Sequence, residues 1–133
     1  MKYWDLLQLT QAVSVATVDD SRPKVRPMTL ITLKQRLFLA TGKTDPKVRQ
    51  LSKNPYMECL LPLADSSGNG YLRISGKALE IRDIMLKKEV ADAAKFIYDY
   101  WQDIADESFI LYQLMPDEWR YLKPGEDIEE IVR

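Results

Sequence analysis

Nine basic side chains fall between residues 20 and 53 (Arg22, Lys24, Arg26, Lys34, Arg36, Lys43, Lys47, Arg49 and Lys53), opposed there only by Asp20 and Asp45. A cationic third in a chain of net charge −1 marks either a local anion site or an ordinary solvated surface. Spacing narrows the anion reading to residues 41–49. Thr41 ends an apolar run, Gly42-Lys43-Thr44-Asp45 is a polar loop, and Pro46 opens a helical pattern whose first turn carries Lys47. Free amides and the helix dipole at such a start attract a phosphate, and Lys47 adds a full charge. Thr41 and Thr44 offer hydroxyl donors, and Arg26 could fork onto the same anion from a neighbouring strand. The alternative is that Thr44 or Asp45 merely caps a connecting helix. In Arg26-Pro27-Met28-Thr29, a strand proline leaves backbone groups outside the ladder, where they can bond a planar heterocycle or simply guard an edge.

What the chain lacks prunes its chemistry. It has no histidine, which removes Ser-His-Asp and Cys-His catalysis, His-ligated haem and most open zinc sites. Its single cysteine, Cys59, cannot ligate an iron–sulfur cluster or form an internal disulfide, so no metal is expected and a reducing cytoplasm fits best. Cys59 lies in an apolar strand and reads as an inert thiol. The N-terminus lacks a basic start followed by an apolar run, and no window approaches a membrane span. The near-neutral net charge argues against a nucleic-acid partner. No residue stands out as catalytic, so chemistry would come from a borrowed cofactor or from carboxylates.

The elements that must position these residues follow from periodicity and turn chemistry. A length of 133 residues, 46% apolar and 29% charged, is one globular domain, expected to cover residues 1–125 with an acidic tail at 126–133 that is frayed or helical. Residues 3–11 read as a short helix and residues 12–18 as a buried strand. Strands are expected at 24–33, with an edge or bulge at Pro27, and at 36–41, the turn between them at Lys34-Gln35. A helix starting at Pro46 ends at Asn54-Pro55. Strands at 56–63 and 71–82 follow, with Gly76 marking a bulge or a close backbone approach. Val90, Ala94, Ile97 and Trp101 form an amphipathic stripe over a helix at 85–104. Two last strands, 108–115 and 118–123, are separated by Pro116-Asp117. The fold class is mainly β, a six- to seven-stranded antiparallel barrel with helical insertions. Tyr71, Trp101, Tyr112 and Trp119 read as core or dimer-interface aromatics.

The strings Ala16-Thr17-Val18-Asp19-Asp20, Pro23-Lys24-Val25-Arg26-Pro27-Met28, Leu37-Phe38-Leu39-Ala40-Thr41, Pro46-Lys47-Val48-Arg49-Gln50-Leu51 with Asn54-Pro55, and Leu72-Arg73-Ile74-Ser75-Gly76-Lys77-Ala78 stand in a specific order. That order resembles the pyridoxamine 5′-phosphate oxidase-like superfamily, the FMN-binding split β-barrels, over residues 5–123. The resemblance implies a homodimer with FMN at the subunit interface. It lays Pro27, Met28 and Thr29 along the flavin ring and brings Arg26 to the phosphate. Thr41, Thr44 and Lys47 would surround that phosphate with Arg49 close by, Tyr71 would touch the ring or its chain, and Trp119 would close the pocket from the second subunit.

Two departures qualify the resemblance. Relatives often have Ser where Asp45 stands, and a carboxylate repels a phosphate unless it turns away. The chain ends in Pro124-Gly125 and an acidic tail rather than the longer Arg- and His-bearing segment of the vitamin B6 oxidases. It is therefore more similar to the short general-stress and nitroimidazole-resistance-like members. The expected function is oxidation or reduction of a small organic molecule by FMN, with a small-molecule substrate or electron donor. A non-catalytic flavin-binding redox sensor or electron carrier is the alternative, and a single-stranded nucleic-acid-binding barrel ranks behind both.

Overall fold

The protein is described by a computed structural model covering residues 2–133. After a 3₁₀ helix at Lys2–Leu6, strand β1 (Thr10–Asp19) turns through Asp20-Ser21 into β2 (Arg22–Leu33). Asp20 takes a φ of 55°, the left-handed region that aspartate tolerates better than most residues. A second hairpin joins β2 to β3 (Arg36–Gly42) through Lys34 and Gln35, with φ of 50° and 57°. Positive φ at both central residues is the two-residue turn whose twist matches the flanking strands.

Helix α1 (Pro46–Lys53) then leads to β4 (Tyr56–Asp65) and β5 (Gly68–Ile81), followed by α2 (Ile84–Ala93), α3 (Ile97–Tyr100), β6 (Phe109–Leu122) and β7 (Glu130–Val132). All the strand pairs are antiparallel, and β3 pairs with β6, so β1, β2, β3, β6, β5 and β4 close into a ring. The closure is incomplete. Strand β2 meets β3 only over Ile31–Leu33, which leaves its earlier residues, including Pro27, bonded on the β1 side alone. The proline thus sits on an edge, where its missing donor does no harm. Opposite it, β6 leaves β3 after Leu114 and takes up β7 at Trp119–Tyr121. This is the expected mainly β split barrel.

Alternation along the strands makes two cores. Leu37, Leu39, Tyr112 and Leu114 point into the barrel with Val13, Val15, Leu30, Cys59, Leu72 and Ile74. Phe38, Phe109 and Leu111 point the other way and are covered by Val90, Ala94 and Ile97 of the helical insertion. The apolar stripe therefore does bury, but not on one long helix. α2 stops at Ala94, and α3 stops at Trp101. Beyond it, Asp103 and Asp106 accept hydrogen bonds from the amides of Ala105 and Ser108, local turns that compete with helix.

Three other expectations are corrected. Residues 3–11 are helical only to Leu6, since β1 has begun at Thr10. The two last strands are one, β6, because the register slips at Ser75/Gly76 and lets Asp117 bulge out beside Pro116. The acidic tail is neither frayed nor helical at Glu130–Val132, which pairs with the free edge of β6. Ion pairs hold it there: Glu129 binds Arg73 and Arg120, and Glu118 binds Arg120 and Arg133. Among the described residues, no helix is long and apolar enough to cross a membrane.

Gly76 is required by the bulge. A Cβ there would lie 2.0 Å from the Met115 carbonyl oxygen, a backbone atom that cannot swing aside. Gly76→Ala should therefore cost about 3 kcal/mol of stability, read as a lower urea midpoint of the full chain. An unchanged midpoint would mean that the β5–β6 bulge can open without penalty.

Candidate functional site

The site is built where β3 hands over to α1. Asp45 is the N-cap, its Oδ1 accepting from the Lys47 amide at 3.0 Å, and Pro46 fills the first helical position, where a missing donor is harmless. The turn of helix folds the Lys47 side chain back beneath this cap. Its ammonium lies 2.7 Å from Asp45 Oδ2 and donates to Thr41 Oγ1 at 2.8 Å. The Lys47 side chain is only 6% exposed, and Lys47 is the sole charged residue among the described buried ones. Burial pushes the Asp45 carboxyl up, but the Lys47 ammonium and amide, helped by the Arg26 charge, outweigh it and hold the pKa below its ordinary value.

Lys47 forms one end of a cavity of about 420 Å³. Pro27, Met28 and Thr29 of β2 and Ala40, Thr41 and Gly42 of β3 line it. Phe96, Tyr100 and Trp101 of the helical insertion complete the lining. Five of the nine residues expected from sequence thus meet: Pro27, Met28, Thr29, Thr41 and Lys47. A neighbouring concavity of about 450 Å³, lined in part by Lys43, Glu80, Arg82, Lys87 and Glu107, mixes both signs of charge. There Lys87 is already donating to the Phe109 carbonyl at 2.7 Å.

The other four expected residues do not line the cavity within this chain. Arg26 points along the barrel wall, donating to the Val15 carbonyl at 3.2 Å, Thr17 Oγ1 at 2.8 Å and Gln50 Oε1 at 3.0 Å. Thr17 and Gln50 are buried and joined by a 2.6 Å bond, so Arg26 ties β1 and β2 to α1. Thr44 is exposed. Arg49 faces outward and pairs with Asp19 at 3.6 Å. Tyr71 lies at the start of β5, its hydroxyl bonded to Glu129 of the tail. Trp119, assigned to a neighbouring subunit's pocket, is instead 4% exposed and packed against the rings of Tyr3 and Trp4. Cys59 is buried in the core, its thiol pushed up to about 12 by that burial.

Sequence reasoning missed the aromatic wall. Trp101 stacks on Phe109 at 5.0 Å and donates from Nε1 to Ser108 Oγ at 3.0 Å, while Tyr100 is 72% exposed. The signal was present, since Trp101 ends the apolar stripe. Only the chain break after α2 turns that end toward the cavity.

Residues 2–123 match the family model of pyridoxamine 5′-phosphate oxidase. The chain belongs to that family. Among curated family relatives, General stress protein 26 of Bacillus subtilis (strain 168) is 25% identical over 127 residues, covering 94% of this chain and 89% of that protein. The fold is shared with a NimC/NimA family protein from Clostridium acetobutylicum (TM-score 0.74, 17% identity, 90% of this chain and 81% of the other). It is also shared with a FAD-binding protein from Mesorhizobium loti (TM-score 0.68, 14% identity, 81% and 82%).

Because the Asp45 pKa is depressed in the folded protein, its stabilisation is complete above the ordinary value of 3.8 and is lost as pH falls through the folded value. Asp45→Asn keeps the cap and loses the charge. It should lower stability by about 1 kcal/mol at neutral pH, a modest figure because the carboxylate is partly solvated. The gap should close in acid, as the parent carboxyl is protonated. Denaturant midpoints at neutral and acid pH test this, and a pH-independent gap would remove the ion pair from the account.

Proposed function

We propose that this chain binds FMN in the β2–β3–α1 cavity and acts, as a homodimer, as an FMN-dependent oxidoreductase of a small organic molecule. The observation that carries the reading is the buried Lys47 ammonium beside Thr41, at a helix N-terminus that opens onto the unpaired edge of β2. A desolvated cation and helix amides suit a phosphate ester. The free edge around Pro27, Met28 and Thr29 suits the polar rim of a fused heterocycle, and the apolar aromatic wall suits its faces. The family and a FAD-binding relative of the same fold support a flavin. Another solved chain of this fold is described as heme-binding, but this sequence has no histidine and its one thiol is buried in the core.

Bound FMN would supply hydride or electron transfer. Lys47 and Thr41 would anchor its charged end, Met28 and Thr29 would fix the ring's register, and Trp101 with Phe96 would exclude water. None of the side chains lining the cavity is a carboxylate, thiol or imidazole. Protons would therefore come from water or from the exposed Tyr100 hydroxyl. The same lack of an acid favours a second reading, a flavin-binding electron carrier or redox sensor without turnover of its own.

Flavin-stripped protein titrated with FMN should turn yellow and quench flavin fluorescence. Lys47→Met keeps the buried stem and removes the charge, and should weaken FMN at least about tenfold while leaving riboflavin, which has no phosphate, nearly unchanged. Absence of FMN binding would refute the proposal, and an unaltered Kd in Lys47→Met would refute the phosphate assignment. Turnover with a reduced nicotinamide and a small acceptor separates the enzyme from the carrier.

A further inference from the structure

We infer that Asp45 is a built-in rival of the ligand's phosphate and sets how strongly this site prefers a phosphorylated flavin over an unphosphorylated one. The inference rests on the reading of the cavity as a flavin site. One carboxylate already engages both the ammonium and the backbone amide of Lys47, the two groups of that residue an anion would seek. Asp45 Oδ2 holds the Lys47 ammonium at 2.7 Å, and Oδ1 holds the Lys47 amide at 3.0 Å. Arg26, whose charge also acts on Asp45, is occupied by Val15, Thr17 and Gln50. The other cation of this loop, Lys43, is exposed and lines the neighbouring concavity instead, where water screens its charge.

A dianionic phosphate reaching Lys47 therefore meets a like charge on the same ammonium, and must crowd it or push it aside. Displacement is feasible, because the Asp45 side chain is 38% exposed on its outer side and can swing into water. Lys47 cannot follow it, being almost wholly enclosed. Part of the phosphate's interaction is thus spent on separating Asp45 from Lys47. A ligand without a phosphate leaves the pair intact and is unaffected. The carboxylate makes the empty corner self-sufficient, with no buried cation left uncompensated, and in exchange weakens discrimination for the phosphate.

Asp45→Asn tests this, since asparagine caps a helix as well as aspartate does. Asp45→Ser, a second uncharged cap, guards against a folding defect in the first. Flavin-stripped full-length variants, checked by circular dichroism, are titrated with FMN and with riboflavin. Both variants should bind FMN at least about tenfold more tightly than the parent chain, with riboflavin unchanged within about twofold. An FMN Kd unchanged while the parent binds FMN measurably overturns the inference and leaves the flavin reading standing. Equal tightening of both flavins also overturns it, because Asp45 would then act on the ring. Failure of parent and variants alike to bind FMN overturns the flavin reading and this inference with it.

Discussion

A lysine ammonium taken out of water must be met by a counter-charge and by acceptors for its protons, or it will not stay charged. Lys47 is met by the carboxylate of Asp45 and the hydroxyl of Thr41, and this three-residue contact organises the end of the barrel. It ties the last turn of β3 to the first turn of α1. It also fixes the N-cap, because the same aspartate serves the helix amide with its other oxygen. The charge that makes the cavity suitable for an anion is therefore inseparable from the hydrogen bonds that start the helix.

The barrel's incomplete closure supplies the rest of the site. A closed barrel has no free strand edge, whereas here β2 separates from β3 before Ile31 and β6 separates from it after Leu114. One gap is sealed by β7, held in place by Glu129 just before it, which pairs with both Arg73 and Arg120. The other stays open at Pro27, Met28 and Thr29 and becomes a wall of the cavity. Two edges created by one topological feature are thus treated differently, one covered by chain and charge, the other guarded by a proline and open onto the cavity.

The helical insertion does two jobs with one apolar stripe. Val90, Ala94 and Ile97 cover the outer face of β3 and β6, and the break after α2 aims Tyr100 and Trp101 at the cavity mouth. The asparagine-free, aspartate-rich segment after Trp101 favours tight turns over helix, which keeps the aromatic pair at the rim.

Short-range physics was readable from the residues themselves. Turn chemistry at Lys34-Gln35, the helix start at Pro46 with its cap from the Thr44-Asp45 pair, the edge at Pro27 and the bulge at Gly76 each depend on a few neighbouring residues, and each lies where the pattern placed it. The missing histidines excluded whole classes of chemistry without any coordinates. Partner choice among distant side chains was not readable, because it is a competition settled only when strands are brought together. Arg26 prefers Thr17 and Gln50, Tyr71 and Arg120 prefer Glu129, and Trp119 belongs to the core with Tyr3. A strand's alternation says which face a side chain leaves from, but a long or charged one then bonds to whatever satisfies it best within reach, and that is decided by packing in three dimensions.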